Sequence, residues 1–197
     1  MLVDMAVVAK DISKAYGDQN VLTQWNCTIP SHKITCLMGP SGCGKTTFLH
    51  IMLGLIKPES GTIYGLENQI IKAIFQENRL CNYLNSPKNI SIVCSKKDRD
   101  LIKINNALKS VGLDQKDIIK PVSELSGGMQ RRVAIVRALI PYSTMILMDE
   151  PFRRLDEDTK KKVVDFVFEL TKDKTLLITT HDRSDVEMLN AELIEMV

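Results

Sequence analysis

A stretch near residue 40 has the residue types and spacing of a phosphate-binding loop. It consists of Gly39, Pro40, Ser41, Gly42, Cys43, Gly44, Lys45 and Thr46, followed by Thr47. It stands between an apolar run at 34–38 and a helical pattern at 46–53, the setting that such a loop requires. Glycines let successive main-chain N–H groups turn toward phosphate oxygens, and the positive end of the helix adds to the attraction. We expect Lys45 to neutralise charge on the β- and γ-phosphates and Thr46 to offer its hydroxyl to Mg²⁺.

Two adjacent carboxylates follow a second apolar run. Residues 145–148 are all apolar and lead into Asp149 and Glu150. Ligands of open α/β sheets bind at the carboxyl ends of strands, so both carboxylates are expected beside the phosphates. Asp149 is then placed to hold Mg²⁺ through water, and Glu150 to polarise the attacking water. A solvated acidic turn is the alternative interpretation, and the phosphate-binding loop disfavours it.

A second glycine turn opens another predicted helix. It consists of Leu125, Ser126, Gly127, Gly128, Met129 and Gln130. Ser126 can cap the helix, while Gly127 and Gly128 present free N–H groups. The turn therefore predicts a second phosphate cradle without a lysine, although by itself it also fits an ordinary capped turn.

Apolar runs and helical patterns alternate along most of the chain. Short apolar or β-branched runs predict strands at 6–8, 21–27, 34–38, 62–64, 73–75, 144–148 and 175–179. Helical spacing predicts helices at 46–53, 129–139, 158–170 and 184–189. Between 78 and 122 strands disappear, and Leu101, Ile104, Leu108 and Val111 recur at helical spacing, which predicts a small helical insert. Strand and helix alternation implies a parallel sheet flanked by helices.

Composition limits the classes of protein that fit. The chain has 197 residues, 44% hydrophobic and 25% charged, which favours one globular domain with a real core. Its net charge of +2 is too small to argue for nucleic acid or an anionic membrane surface. Five widely spaced cysteines without a Cys-x-x-Cys pair disfavour a disulfide framework or a zinc knuckle. Without a long apolar run or a basic leader, we expect a chain that neither spans a membrane nor is exported.

Five motifs occur in the order found in one known family. Gly-Pro-Ser-Gly-Cys-Gly-Lys-Thr-Thr, Gln76 in Phe-Gln-Glu, Leu-Ser-Gly-Gly-Met-Gln, the apolar run into Asp149-Glu150, and His181 resemble the Walker A, Q-loop, signature, Walker B and H-loop of ABC transporter ATP-binding subunits. The resemblance covers almost the whole chain. It implies an α/β fold: a P-loop NTPase core at 1–76 and 126–197 with a mainly parallel sheet, an N-terminal antiparallel β portion, and a helical subdomain at about 77–125.

The resemblance also implies roles for individual residues. Tyr16 resembles the aromatic residue that stacks on adenine. Gln76 resembles the glutamine that reaches Mg²⁺ and the attacking water. His181 resembles the histidine that contacts the γ-phosphate. The expected catalytic groups are thus Glu150, His181, Lys45 and Gln76, and the expected Mg²⁺ ligands are Thr46, Gln76 and Asp149.

In that family each ATP lies between the P-loop of one subunit and the signature of the other. The resemblance therefore implies a dimer of two such chains that closes around ATP, drives a transmembrane partner, and lies on the cytoplasmic, inner face of the cell membrane. No nucleic-acid partner is expected. The sequence Phe-Gln-Glu-Asn-Arg-Leu resembles the importer branch that serves nitrate, sulfonates and taurine.

The chain departs from the family pattern in two places. Arg153 and Arg154 replace a small polar pair before Leu155-Asp156, which leaves dimer coupling open. Arg131 stands where many relatives have Gln, a position that we interpret as peripheral to the phosphate cradle.

Two other functions fit parts of the pattern. A soluble ABC-type ATPase of DNA repair or translation usually carries a coiled-coil insertion or a second cassette, which 197 residues do not hold. A catalytically weak scaffolding subunit is disfavoured by the presence of Lys45, Asp149, Glu150 and His181, although the two arginines leave it open.

Overall fold

A computed structural model describes residues 6–196 as two sheets and seven helices. The strands are β1 (Val7–Tyr16), β2 (Gln19–Ile29), β3 (Ile34–Met38), β4 (Ser60–Tyr64), β5 (Ile71–Ile74), β6 (Met145–Asp149), β7 (Thr175–Thr180) and β8 (Glu192–Glu195). The helices are α1 (Lys45–Met52), α2 (Ser86–Ser91), α3 (Leu101–Ser110), α4 (Gln115–Ile118), α5 (Gly127–Leu139), α6 (Glu157–Thr171) and α7 (Arg183–Met188), with a 3-10 turn at Val122–Glu124.

The larger sheet is parallel and has the spatial order β5-β6-β7-β3-β8. Every residue of β6 and β7 is buried, as expected for central strands covered on both faces. Because the strands are parallel, the carboxyl ends of β3, β6 and β7 lie at one edge. That edge therefore carries the phosphate-binding loop, the Asp149-Glu150 pair and His181 together.

Two apolar clusters cover the two faces of this sheet. Along β6, Met145 and Leu147 belong to one cluster, whereas Ile146 and Met148 belong to the other. This alternation follows from the two-residue period of a strand. Helix α1 and the N-terminal strands contribute to the first cluster, and α5 and α6 to the second. The expected α/β fold with its flanked parallel sheet is confirmed.

The smaller sheet is antiparallel, with the order β2-β1-β4. It confirms the expected N-terminal antiparallel portion. Strand β1 is longer than the predicted 6–8 run, because exposed polar residues alternate with core residues such as Ile12. At its far end Tyr16 pairs with Gln19, which brings Tyr16 to the turn beside the phosphate-binding loop.

The segment between β5 and α5 holds only helices, turns and a single bridge from Asn85 to Pro121. Asn85 caps α2 by accepting from the Lys88 N–H at 3.1 Å. In α3, Ile104 and Leu108 are buried, whereas Leu101, which belongs to the same helical pattern, is 58% exposed. Leu101 is the first residue of the helix, where no later turn covers it. The division at 77 and 125 stays a prediction.

Most element boundaries differ from the predicted ones, and one strand was not predicted. β5 ends at Ile74, so Phe75 lies beyond the strand, and its carbonyl is bound by a side chain described below. β8 was not predicted, because an edge strand of four residues with exposed ends lacks a periodic apolar signal. The first five residues and Val197 of the predicted core lie outside the described residues. Within residues 6–196, no helix is long and apolar enough to cross a membrane.

Candidate nucleotide site

The loop between β3 and α1 depends on two glycines for its shape. Gly44 precedes the first turn of α1 with φ +106°, and a Cβ there would lie 2.7 Å from the Leu22 side chain. A Cβ on Gly39 would collide with the carbonyl oxygen of Met196. The first N–H groups of α1 have no helical acceptors, so they are available to an anion at this end of the helix.

Lys45 lies across this loop and is only 6% exposed. Its Nζ donates to the carbonyl oxygens of Gly39 at 2.7 Å and Pro40 at 2.8 Å, and lies 3.7 Å from Cys43 Sγ. These acceptors are neutral, so the ammonium keeps a charge that a phosphate can satisfy.

Asp149 is buried at the end of β6 and accepts two hydroxyl hydrogen bonds. Thr46 Oγ1 donates to Oδ2 at 2.8 Å, and Thr179 Oγ1 donates to Oδ1 at 2.6 Å. The carboxylate therefore joins the first turn of α1 to β6 and β7. Thr179 was not singled out from the sequence, where it is one threonine in a strand pattern.

Glu150 turns the chain out of the sheet in a left-handed conformation, with φ 45°. Its N–H donates to the carbonyl oxygen and to Oγ1 of Thr179, both at 3.1 Å. Its carboxylate lies 3.2 Å from His181 Nδ1 through Oε1 and 3.2 Å from Arg153 Nη1 through Oε2. The expected catalytic carboxylate and the expected histidine are thus in direct contact.

The His181 segment is fixed from behind by a buried ion pair. Lys160 of α6 contacts Asp185 of α7, and Thr180 donates to the same carboxylate. Burial lowers the pKa of Lys160, but the hydrogen bonds and negative charges of Asp185 and Asp182 together outweigh it and raise the pKa overall. Lys160 thus stays charged and anchors the segment that carries His181.

Most of the predicted phosphate and base contacts line one cavity of about 330 Å³. Its walls include Tyr16, Ser41, Gly42, Gly44, Lys45, Thr46, Thr47, Gln76, Glu150 and Arg153. Tyr16 is 51% exposed, with Lys14 Nζ 5.5 Å from its ring centre, so one side of the ring can accept a base. Gln76 is also exposed at this cavity.

The second glycine turn opens onto a different cavity of about 380 Å³. Gly127 and Gln130 line it together with Gln76 and Glu150. Ser126 caps α5 by accepting from the Met129 N–H at 3.3 Å, and Gly128 lies beside the Arg154 carbonyl. Ser126, Gly127 and Gly128 are therefore not among the residues that line the P-loop cavity.

The side chain of Gln130, a residue of the expected second phosphate cradle, makes contacts within its own chain. Its Nε2 donates to the carbonyl oxygens of Val122 and Leu125, both at 3.0 Å. The amide therefore braces the turn before α5. Whether the opposite amide oxygen faces a ligand stays a prediction.

The interpretation of Arg131 as peripheral is wrong. Its guanidinium is buried and donates to the carbonyl oxygens of Asp149 at 2.6 Å and Glu150 at 2.9 Å. Burial lowers the pKa of Arg131 to about 10, against the attraction of the Asp149 and Glu150 charges. The sequence shows that an arginine replaces the glutamine of many relatives at this position. It does not show which groups the guanidinium contacts in the folded chain.

Comparisons with known proteins agree with this geometry. The ABC transporter family profile matches residues 22–153. The chain is 35% identical over 185 residues to the aliphatic sulfonates import ATP-binding protein SsuB 2 of Pseudomonas syringae pv. tomato, covering 93% of this chain and 78% of that protein. It is also 35% identical over 189 residues to the taurine import ATP-binding protein TauB of Pelagibacter ubique, covering 90% and 71%.

A solved structure matches as well. It is the dimeric post-hydrolysis state of the ATP-binding cassette MJ0796 bound to ADP and Pi, with a TM-score of 0.82 and 28% identity over 96% of this chain and 94% of that chain. The expected resemblance, including the importer branch, is confirmed by these matches. The chain therefore belongs to the ABC transporter family, as one of its ATP-binding, ATP-hydrolysing subunits.

Proposed function

We propose that two copies of this chain close around ATP and that its hydrolysis powers a transmembrane importer. The observation that carries the proposal is the placement of the two glycine turns. The P-loop, Asp149, Glu150 and His181 converge at one sheet edge, whereas Gly127 opens onto the neighbouring cavity. Because the two turns of one chain border different cavities, an ATP bound by both turns would take the P-loop from one chain and the second glycine turn from another.

Each site residue has a role that its position supports. Lys45 and the α1 N-terminus bind the β- and γ-phosphates, and Tyr16 stacks on adenine. Glu150 accepts a proton from the attacking water, while His181 contacts the γ-phosphate. Held 3.2 Å from His181 in a left-handed turn, Glu150 has its carboxylate fixed at the cavity wall before nucleotide enters.

The donor set beside the P-loop suits Mg²⁺. Thr46 offers a hydroxyl, Asp149 a carboxylate and Gln76 an amide oxygen, all hard oxygen ligands. One carboxylate with few protein donors is typical of Mg²⁺ that also binds phosphates and water. When bound, the ion would neutralise phosphate charge during hydrolysis.

The proposed partner is a transmembrane subunit on the cytoplasmic side of the cell membrane. The two relatives named above are import ATP-binding proteins, which supports import of a small organic anion by this system. We expect the transmembrane subunit to contact the surface around residues 80–90, where Tyr83 is 94% exposed, whereas Ile90 is buried and packs inside the chain. Tyr83 is therefore the large exposed side chain with apolar surface that this segment offers to a partner.

A mixing experiment tests the two-chain site. Lys45→Ala removes the P-loop charge and Gly127→Arg blocks the second glycine turn, so each variant alone is expected to lose ATP hydrolysis. In a mixed dimer one site keeps both intact halves, so an equal mixture should recover roughly a quarter of the wild-type rate, since half of the dimers are mixed and each has one good site. No recovery in a mixture shown to exchange chains would contradict the proposal.

A further inference from the structure

Arg131 of α5 donates to the main chain that follows β6. Its Nε donates to the Pro151 carbonyl at 3.0 Å, and its Nη2 donates to those of Asp149 at 2.6 Å and Glu150 at 2.9 Å. The side chain is 4% exposed, so water does not compete for these carbonyls. Arg131 thus fixes the turn that carries the catalytic carboxylate.

The same guanidinium holds the main chain that follows β5. Nη1 donates to the Phe75 carbonyl, and lies 3.4 Å from the Gln76 carbonyl and from Asn78 Oδ1. β5 and β6 are neighbours in the parallel sheet, and their last pair is Ile74 with Met148. Beyond this pair the two strands no longer form hydrogen bonds with each other. Arg131 therefore binds main-chain carbonyls of both chains at the point where they separate.

The chemistry of arginine accounts for this double contact. A planar guanidinium has five N–H donors in a fixed fork, and it can serve two loops at once. Glutamine, the residue of many relatives at this position, has two N–H donors on one nitrogen and a shorter stem. A glutamine here could bind one loop, but it could not span both with the same set of bonds.

We propose that Arg131 is a positioning residue that fixes Gln76 and Glu150 relative to each other by holding the main chain of both loops. The inference rests on the proposed function, because the relative positions of Gln76 and Glu150 affect the hydrolysis rate only if both side chains act in ATP hydrolysis. Arg131 does not line the P-loop cavity; it lines the neighbouring one, where its guanidinium donates to main-chain carbonyls of its own chain. We therefore expect its contribution in the rate of the chemical step more than in nucleotide binding.

Hydrogen–deuterium exchange of the chain without nucleotide tests the link itself. Arg131→Gln should speed exchange in both segments, 75–79 and 149–153, when compared with the wild type. Arg137→Gln is the matched control, since Arg137 lies on the same helix and donates only to the Asn78 and Arg79 carbonyls, each at 2.7 Å. It should speed exchange at 75–79 alone. Unchanged exchange at either segment in Arg131→Gln would overturn the link, whatever the activity of the chain.

Kinetics test the consequence. Arg131→Gln should lower kcat roughly tenfold or more while the Kd for ATP stays within about twofold, because only the alignment of groups is lost. Arg131→Lys, which keeps the charge without the fork, should recover only part of kcat.

Arg132→Gln controls for lost helix packing, since Arg132 donates to the Val111 and Gly112 carbonyls and, at 3.4 Å within its own helix, to the Gly128 carbonyl, but to neither loop that Arg131 holds. An equal fall of kcat in Arg132→Gln, or a wild-type kcat in Arg131→Gln, would overturn the positioning role. If the wild type itself does not hydrolyse ATP, the proposed function fails, and the exchange experiment still decides the link.

Discussion

At the scale of single residues, the site is organised around Glu150. This carboxylate contacts His181 and Arg153 directly, and it borders the cavities of both glycine turns. Arg153, one of the two arginines that replace the family's small polar pair, thus lies beside the proposed catalytic carboxylate. Its ion pair is half-exposed and contributes little to stability, so its effect is expected on the charge of the site.

Glu150→Gln should retain ATP binding and lose turnover. The amide keeps the shape of the side chain but cannot accept a proton from water, which predicts a fall in kcat of roughly 10²- to 10⁴-fold. Phosphate release measures turnover, and size-exclusion chromatography with ATP should show an accumulated dimer. Glu187→Gln, an exposed change on α7, is the control. Wild-type turnover in Glu150→Gln would reject this carboxylate as the base.

Lys45→Ala should weaken ATP binding by roughly tenfold or more, because the triphosphate loses its main buried counter-charge. A titration with a fluorescent ATP analogue measures the affinity. Lys14→Ala is a useful comparison, since Lys14 stands near Tyr16 and outside the phosphate loop. Equal affinity of Lys45→Ala and the wild type would contradict the assignment of the phosphate site.

At the scale of elements, capping residues and glycine turns fix the residue at which a helix begins. They therefore fix the position of its positively charged N-terminal end. Ser126 caps α5, as predicted, and Asp156 caps α6. Beyond the carboxyl end of α1, Gly54 adopts a left-handed conformation with φ 68°. The first turns of α5 and α6 border cavities that Glu150 also lines, so these two caps position the candidate site as well as stabilise their helices.

Asp156→Asn should make the stability of the chain less sensitive to acid. The Asp156 carboxylate accepts from the Thr159 N–H at 3.0 Å, which lowers the pKa of Asp156 below its ordinary value of 3.8. A lowered pKa gives a contribution that is complete above the unfolded value and is lost as the pH falls through the folded value. Asparagine still caps the helix but does not titrate.

Urea unfolding of both proteins at a series of acid pH values measures this difference. Asp158→Asn is the control, as Asp158 lies in the same turn without the capping role. Parallel pH dependence of the wild type and Asp156→Asn would contradict the prediction.

At the scale of the whole molecule, the two cavities lie side by side and share Gln76, Glu150 and Arg153. If two chains close around nucleotide as proposed, we expect the closure to affect both Glu150 and Gln76, because both residues line the two cavities. Gln76 begins the segment that leads to the exposed Tyr83, which links the ATP site to the proposed partner surface.

Tyr83→Glu should reduce co-purification with the transmembrane subunit, because a charge replaces a fully exposed aromatic ring at the expected contact. Tyr142→Glu, at a ring that is 63% exposed near the opposite end of β6, is the matched control. Pull-down from co-expressing cells measures association, and the ATP hydrolysis of the isolated chain should stay at the wild-type rate. Equal recovery of the partner by both variants would exclude Tyr83 from the interface.

The sequence by itself determined the chemistry and the fold class. The informative patterns are local: the glycine spacing, the apolar run into Asp149-Glu150, and the alternation of strands and helices. Such patterns involve residues close together in the chain, so they can be recognised from the sequence. Tertiary structure alone decided which distant groups meet: Thr179 on Asp149, Lys160 behind His181, and Arg131 across two loops. The order β5-β6-β7-β3-β8 brings these groups together, and it arises from packing between residues far apart in the chain. The sequence gives the type of a long side chain such as that of Arg131. Its hydrogen-bond partners depend on which main-chain carbonyls the fold leaves without a partner.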